Sequence, residues 1–183
     1  TGSMSLQWLY QDTQSHTQCP TLLKLPLDFY LQDMCLRDLY QANSILCGFS
    51  AGSRDDTIEL LAETLASRGL IQNESEVKNR ITHTDSVHTT AIGNGVAIPH
   101  ATVDRLEKTL LMVAVSRDPV AFGPTKVETC SVFFLLLSPA DHGGEHIKIL
   151  ARIARFASDP SAAERLRSAG SEELLVETMD DRR

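Results

Sequence analysis

Two histidines stand in settings that could support chemistry at an imidazole. The stretch Thr90-Ala-Ile-Gly-Asn-Gly-Val-Ala-Ile-Pro-His100-Ala puts one ring at the end of a short apolar run, just after two glycines and a proline. Gly93 and Gly95 permit backbone geometries and close approaches that a Cβ forbids. Pro99 fixes its own φ and pushes Ile98 toward an extended conformation. The pattern predicts a stiff turn that presents His100 at a surface rather than burying it. A ring held that way, with one nitrogen oriented by a backbone partner, offers the other nitrogen as a nucleophile. A histidine in a Gly/Pro turn is also an ordinary solvated loop residue, and the residues taken alone leave both readings open.

The second string is Pro139-Ala-Asp-His-Gly-Gly-Glu-His146-Ile-Lys-Ile-Leu150. Here His146 falls in or near the first turn of a helix whose buried stripe reads Ile147, Leu150, Ile153 or Ala154, and Ala157. His146 then lies at the boundary of that stripe, where a polar residue is common. His142 and His146 are four apart and His83 and His88 five apart, but no carboxylate or thiolate completes a zinc-type set, so no metal site is expected. Gly93-Asn-Gly95 lacks the third glycine and the Lys-Ser/Thr of nucleotide-binding loops, so no nucleotide cofactor is expected either.

The elements that must position these rings are legible in outline. Leu31 to Tyr40 reads as a short helical or turn-like entry, and Ser44 to Phe49 as a strand. Arg54 to Arg68 is the clearest helix: Ser53 caps it, Asp55 and Asp56 favour its first turn, and Ile58, Leu61 and Leu65 form a stripe. Gly69 marks its end. A second helix is expected from Ser75 to about Thr82, capped by Asn73 or Ser75. The runs Leu110 to Ser116 and Ser131 to Ser138 are continuously apolar and too short to span a membrane, which suits strands buried on both faces. Helices return at Glu145 to Ala157, Pro160 to Ala169 and Ser171 to Met179, with Pro160 at a first helical position and Ser171 as a cap. Strands alternating with helices imply an α/β fold, a mixed β-sheet flanked by helices on both faces.

Composition fits one compact domain. The chain has 183 residues, 42% of them apolar, and a net charge of −7. No basic stripe is present, which argues against nucleic acid or an anionic membrane as the partner. No apolar segment reaches membrane-span length and no secretory pattern opens the chain, so the reading is cytoplasmic. Cys19, Cys35, Cys47 and Cys130 form no C-x-x-C pair and read as reduced thiols, Cys130 as a core filler. Thr1-Gly2-Ser3 ahead of Met4 reads as a cloning remnant and is set aside. Residues 4–30 form an extension of undefined role, with Trp8 and a leucine cluster around Pro20 and Pro26, leaving 31–183 as the domain proper. Homo-oligomerisation is left open.

The string Gly-Asn-Gly-Val-Ala-Ile-Pro-His100-Ala closely resembles the phosphohistidine signature of enzyme IIA of the sugar phosphotransferase system, in the fructose/mannitol and nitrogen-regulatory class. The resemblance runs from Leu31 to the C-terminus and takes in Asp55 to Ile71, the strand at Val132 to Leu137 and the His146 helix. It implies a phosphotransferase in which His100 accepts a phosphoryl group on Nε2 from a small phosphohistidine carrier protein and passes it on. It implies that His146 is a second active-site histidine, its N–H donating to phosphoryl oxygens beside backbone N–H groups of the helix start. The Thr90 hydroxyl is expected as a further donor, with Ile92, Val96 and Ile98 as candidates for an apolar docking rim.

Val120-Ala-Phe-Gly, Leu137-Ser-Pro-Ala-Asp141 and Arg165-Leu-Arg-Ser-Ala-Gly-Ser-Glu-Glu look most like the nitrogen-regulatory branch, which implies a regulated protein as downstream partner. A sugar-specific IIA that hands the group to a cysteine of a IIB component is the alternative. One departure stands out: where the family usually has Arg-Glu, sixteen residues before the active histidine, this chain has Thr84-Asp85. Threonine cannot supply the arginine's charge or its bidentate fork. Asp85 is expected to orient the local loop, and Arg80, Arg117 or Lys126 to stand in for the missing cation. An impaired site that only binds partners is the third reading.

Overall fold

The computed structural model describes residues 36–87, 89–122 and 128–179. The extension 4–30, the remnant before Met4, most of the Leu31–Tyr40 entry, Cys19, Cys35, His88 and Lys126 lie outside the described residues.

A short helix, α1 (Leu36–Leu39), leads directly into strand β1 (Tyr40–Phe49). Helix α2 (Arg54–Ser67) follows, with the Ser53 hydroxyl accepting from the Asp56 N–H at 3.1 Å and Gly69 beyond its end at φ +71°. Helix α3 (Glu74–Val87) starts where the Asn73 side chain accepts from the Glu76 N–H, and it runs one turn past the expected Thr82. The extension has a packing reason. Val77, Ile81 and Asp85 lie four apart on one buried face, so the apolar stripe is continued by a carboxylate that periodicity alone reads as an exit to solvent.

Strands β2 (Ala91–Gly93) and β3 (Val96–Ala97) form a hairpin through Asn94 and Gly95, at φ +53° and +70°. Two consecutive residues of positive φ make the type I′ turn for which Asn-Gly is suited. Strand β4 (His100–Val103) begins immediately after Pro99, then β5 (Leu110–Ala121) and β6 (Thr129–Pro139) complete a six-stranded sheet of order β1-β5-β6-β3-β2, with β4 also on β6. The sheet is mixed: β5 runs antiparallel to β6, while β1 on β5, and β3 and β4 on β6, are parallel. Helices α4 (Gly143–Ala157), α5 (Pro160–Ser168) and α6 (Glu172–Thr178) end the fold, with Asp159 and Ser171 as caps.

Successive strand side chains point to opposite faces, so the continuous apolar runs serve two layers at once. Phe133, Leu135 and Leu137 of β6 join Ile58, Leu61 and Ile81 of α2 and α3 in one cluster. Phe134 faces the other way, its ring 6.3 Å from that of Phe156 in α4. Helices therefore cover both faces of the sheet. Cys130 is buried, as expected, and its thiol pKa is pushed up to about 12, first by burial and then by Glu128 and Asp85. No helix among the described residues is long and apolar enough to cross a membrane.

Two local expectations are corrected. His100 does not sit in an open turn: Pro99 separates two strand segments that both pair with β6, and His100 opens the second. The expected α4 stripe holds at Leu150, Ile153 and Ala157 but not at its first member. Ile149, Ile153 and Phe156 are buried with Leu150 and Ala157, while Ile147 is 37% exposed. The stripe follows from the buried His146, which takes an inward position that apolar periodicity gave to its neighbour.

Candidate functional site

Register decides which side chains meet. In the parallel β4–β6 pair His100 lies opposite Leu136 and Thr102 opposite Ser138. Partners in register share a face, and residues two apart along a strand share it again. His100, Leu136 and Ser138 therefore belong to one face, the one on which Phe134 meets α4, while Ala101 and Leu137 join the opposite cluster. The chain leaves β6 through a tight connection in which the His142 N–H bonds the Pro139 carbonyl at 3.0 Å, and the His146 N–H bonds the His142 carbonyl at 3.0 Å. This drops the first turn of α4 beside the carboxyl end of β6, with His146 turned inward.

The two rings come together there. The His100 and His146 centroids are 5.5 Å apart with ring planes inclined at 47°. Both are largely covered, at 9% and 7% exposure, so His100 is not displayed on a surface as its Gly/Pro setting suggested. The covering comes from the strand position and from the second ring packed beside it. His100 Nδ1 lies 2.8 Å from the Ile98 carbonyl oxygen. A carbonyl only accepts, so Nδ1 carries the proton, and in the neutral ring the lone pair belongs to Nε2. His146 Nδ1 lies 2.8 Å from the Ser138 hydroxyl oxygen. Burial, and secondarily the neighbouring His100, lower the His146 pKa to about 4, so this ring is neutral at pH 7.

A second chain of contacts supports the His100 segment from behind. Asp85 is buried near the end of α3; its Oδ1 accepts from the Thr90 hydroxyl, and its Oδ2 lies 3.0 Å from Arg54 Nη1 at the start of α2. The Thr90 carbonyl in turn accepts from the Ile98 N–H at 2.8 Å, and Ile98 is the residue that holds His100. Arg54, Asp85, Thr90 and Ile98 thus form one continuous tie from a helix start to the His100 ring. The Thr90 hydroxyl is committed to Asp85 rather than presented to a ligand.

Other expected participants are placed elsewhere. Arg80 pairs with Asp104 at 3.1 Å, and Arg117 is exposed beside Gly48 at the far end of β1. Thr84 bonds the carbonyl of Arg80 within its own helix. Val96 and Ile98 are core residues and cannot form a docking rim, whereas Ile92 is half-buried. Among the described residues no three His, Cys, Asp or Glu side chains cluster as metal ligands. Sequence reasoning missed Arg54 and Ser138. Arg54 looked like an ordinary first helical residue, and Ser138 like the end of an apolar run; only the packing of α2 on α3 and the register of β4 on β6 assign them.

The arrangement offers an imidazole anchored through Nδ1, a second, neutral imidazole beside it, and a rigid backing. Comparison with known proteins matches this architecture. Residues 38–181 match the family model described as phosphoenolpyruvate-dependent sugar phosphotransferase system, EIIA 2. A nitrogen regulatory protein of Bradyrhizobium diazoefficiens is 33% identical over 147 residues, covering 80% of this chain and 95% of that protein. Among solved structures, the nitrogen regulatory protein IIA-Ntr of Neisseria meningitidis superposes with a TM-score of 0.71 at 24% identity, covering 78% of this chain and 97% of that one. The IIA mannitol structure from Escherichia coli gives a TM-score of 0.65 at 23% identity, covering 76% and 97%. The chain belongs to the EIIA type-2 family of the phosphoenolpyruvate-dependent phosphotransferase system.

Proposed function

We propose that this chain is a phosphocarrier that takes a phosphoryl group on His100 Nε2 from a phosphohistidine carrier protein and acts as a nitrogen-regulatory type of IIA. The observation that carries the reading is the His100–His146 pair, with His100 Nδ1 anchored on the Ile98 carbonyl and the second ring 5.5 Å away. The His100 Nε2 lone pair attacks phosphorus; the carrier's N–P bond breaks and its electron pair stays on the carrier's ring nitrogen. His100 keeps its Nδ1 proton, and the Ile98 carbonyl stabilises the positive charge that the phosphorylated ring acquires. The transferring group spreads negative charge over its equatorial oxygens, so preorganised donors matter more than covalent machinery. His146 is the side-chain donor placed to serve them, and the Arg54–Asp85–Thr90 tie keeps the His100 segment in place.

The regulatory reading, in which a partner protein responds to the phosphorylation state, is supported by the 33% identity to a nitrogen regulatory protein over nearly its whole length. The chain then works in the cytoplasm, where thiols such as Cys47 stay reduced. Exposure to a phosphorylated carrier and labelled phosphoenolpyruvate is expected to label His100 through an acid-labile, base-stable bond. Absence of label with competent donors, or label unaffected by His100→Ala, would overturn the proposal.

Thr84 favours a second reading, a module that binds partners without efficient transfer, because threonine carries no charge and its hydroxyl is turned back onto its own helix. Partners captured equally well with and without phosphoryl donor, and by His100→Gln, would support it.

A further inference from the structure

His146 is useful to a phosphoryl group only in one of its two neutral forms. With the proton on Nε2 it donates; with the proton on Nδ1 it presents a second lone pair next to that of His100, and the two rings have nothing to share with an anion. Its ring is neutral at pH 7, so tautomer and not charge is the deciding variable.

We infer that Ser138 is a positioning residue that holds His146 as the Nε2-protonated tautomer, so that the ring beside His100 presents a donor. The use made of that donor rests on the phosphocarrier reading; the tautomer itself does not. Ser138 is completely buried on the sheet face shared with His100. Its hydroxyl oxygen is 2.8 Å from His146 Nδ1, an ordinary length for a good hydrogen bond.

The direction of that bond follows from where the serine proton can go. Among the described residues, the other hydroxyl near Ser138 is that of Thr109, at 3.5 Å, the outer limit of a hydrogen bond. Were His146 Nδ1–H the donor, the serine proton would be left to that long contact, and a buried hydroxyl so poorly satisfied is unfavourable. Donation from Ser138 to His146 satisfies both groups. Thr109 is also 3.5 Å from a Glu145 carboxylate oxygen, a strong acceptor for its own proton.

The result is a complementary pair. His100 has its proton on Nδ1, fixed by a group that can only accept, so that in its neutral form the lone pair is on Nε2. His146 has its lone pair on Nδ1, fixed by a group that donates, and its proton on Nε2. A nucleophile and a donor are thus made from the same side-chain type by opposite backing partners.

The test reads the ring nitrogens of the full chain, labelled with 15N-histidine, by long-range 15N–1H correlation at pH 7. Wild type is expected to show His146 Nδ1 without and Nε2 with an attached proton. Ser138→Ala should abolish that single form, and Ser138→Thr, which keeps the hydroxyl, should retain it. The rate of His100 labelling by a phosphorylated carrier should fall about tenfold in Ser138→Ala, the size expected for one weakened donor, with carrier affinity unchanged. A wild-type proton on His146 Nδ1, or nitrogen shifts unchanged in Ser138→Ala, would overturn the assignment; measurable but equal labelling rates would overturn the use made of the donor. The wild-type measurement alone decides the tautomer should the alanine variant not fold. If wild type shows the expected tautomer while His100 takes no phosphoryl group, the phosphocarrier reading fails and the Ser138 assignment stands.

Discussion

His100 and His146 pack ring beside ring, 5.5 Å between centroids, although one opens a strand and the other lies in the first turn of a helix. On the proposed phosphocarrier reading, that contact puts His146 beside the transferring group and His100 acts as the nucleophile. His146→Gln is expected to slow single-turnover phosphorylation of His100 about 10²-fold, the size found for removing one preorganised donor, without abolishing the label. Unchanged rates would contradict a role for the second ring.

The lowered His146 pKa makes stability depend on pH in a defined direction. The unfolded chain takes up this proton near pH 6.5 and the folded chain only near 4, so between those values the unfolded state binds more protons. Stability should therefore fall as pH drops from 6.5 to 4, by roughly 3 kcal/mol from this ring. Urea unfolding at pH 7 and pH 4.5 should show a smaller loss for His146→Gln than for wild type; equal losses would remove the effect from this histidine.

Asp85 is a buried carboxylate whose partners come from two other segments, Arg54 and Thr90. Arg54→Met leaves that charge without its cation. Removing one partner of a buried pair costs several kcal/mol, but Arg54 is about one-third exposed and water screens it, so about 2 kcal/mol is expected. The double variant with Asp85→Asn should recover part of this loss. A double variant no more stable than Arg54→Met would show that the pair is not the tie described.

The hairpin before His100 depends on Gly95, at φ +70°, where a Cβ would lie 3.1 Å from Arg167 Nη1. Gly95→Ala combines left-handed backbone strain of about 1–2 kcal/mol with that crowding. A drop in Tm of several degrees is expected by calorimetry; an unchanged Tm would mean that the turn relaxes at no cost.

Local signals in the sequence were reliable where structure is local. The Ser53 and Ser171 caps, Pro160 at the start of α5, and the β5 and β6 cores follow from side-chain chemistry within a few residues. The two histidines that the fold brings together were singled out because the Gly-Asn-Gly…Pro-His100 and Gly-Gly-Glu-His146 strings are distinctive. What was not legible depends on pairing between distant segments. Asp85 continues a buried stripe only because Arg54 and Thr90 satisfy it. Ile147 and His146 exchange inward and outward positions because a hydroxyl on β6 receives the ring. His100 is covered because Pro99 joins two strands where its composition suggested an open turn. Ser138 acquires a role only through the register of β4 on β6.

The most direct measurement of the central claim is the intact mass of the chain after incubation with a phosphorylated carrier, with peptide mapping of the modified site. One phosphoryl group per chain, located on His100, lost in acid and absent from His100→Ala, is the expected result. An unmodified mass with a competent donor, or a modification that persists in His100→Ala, would contradict it.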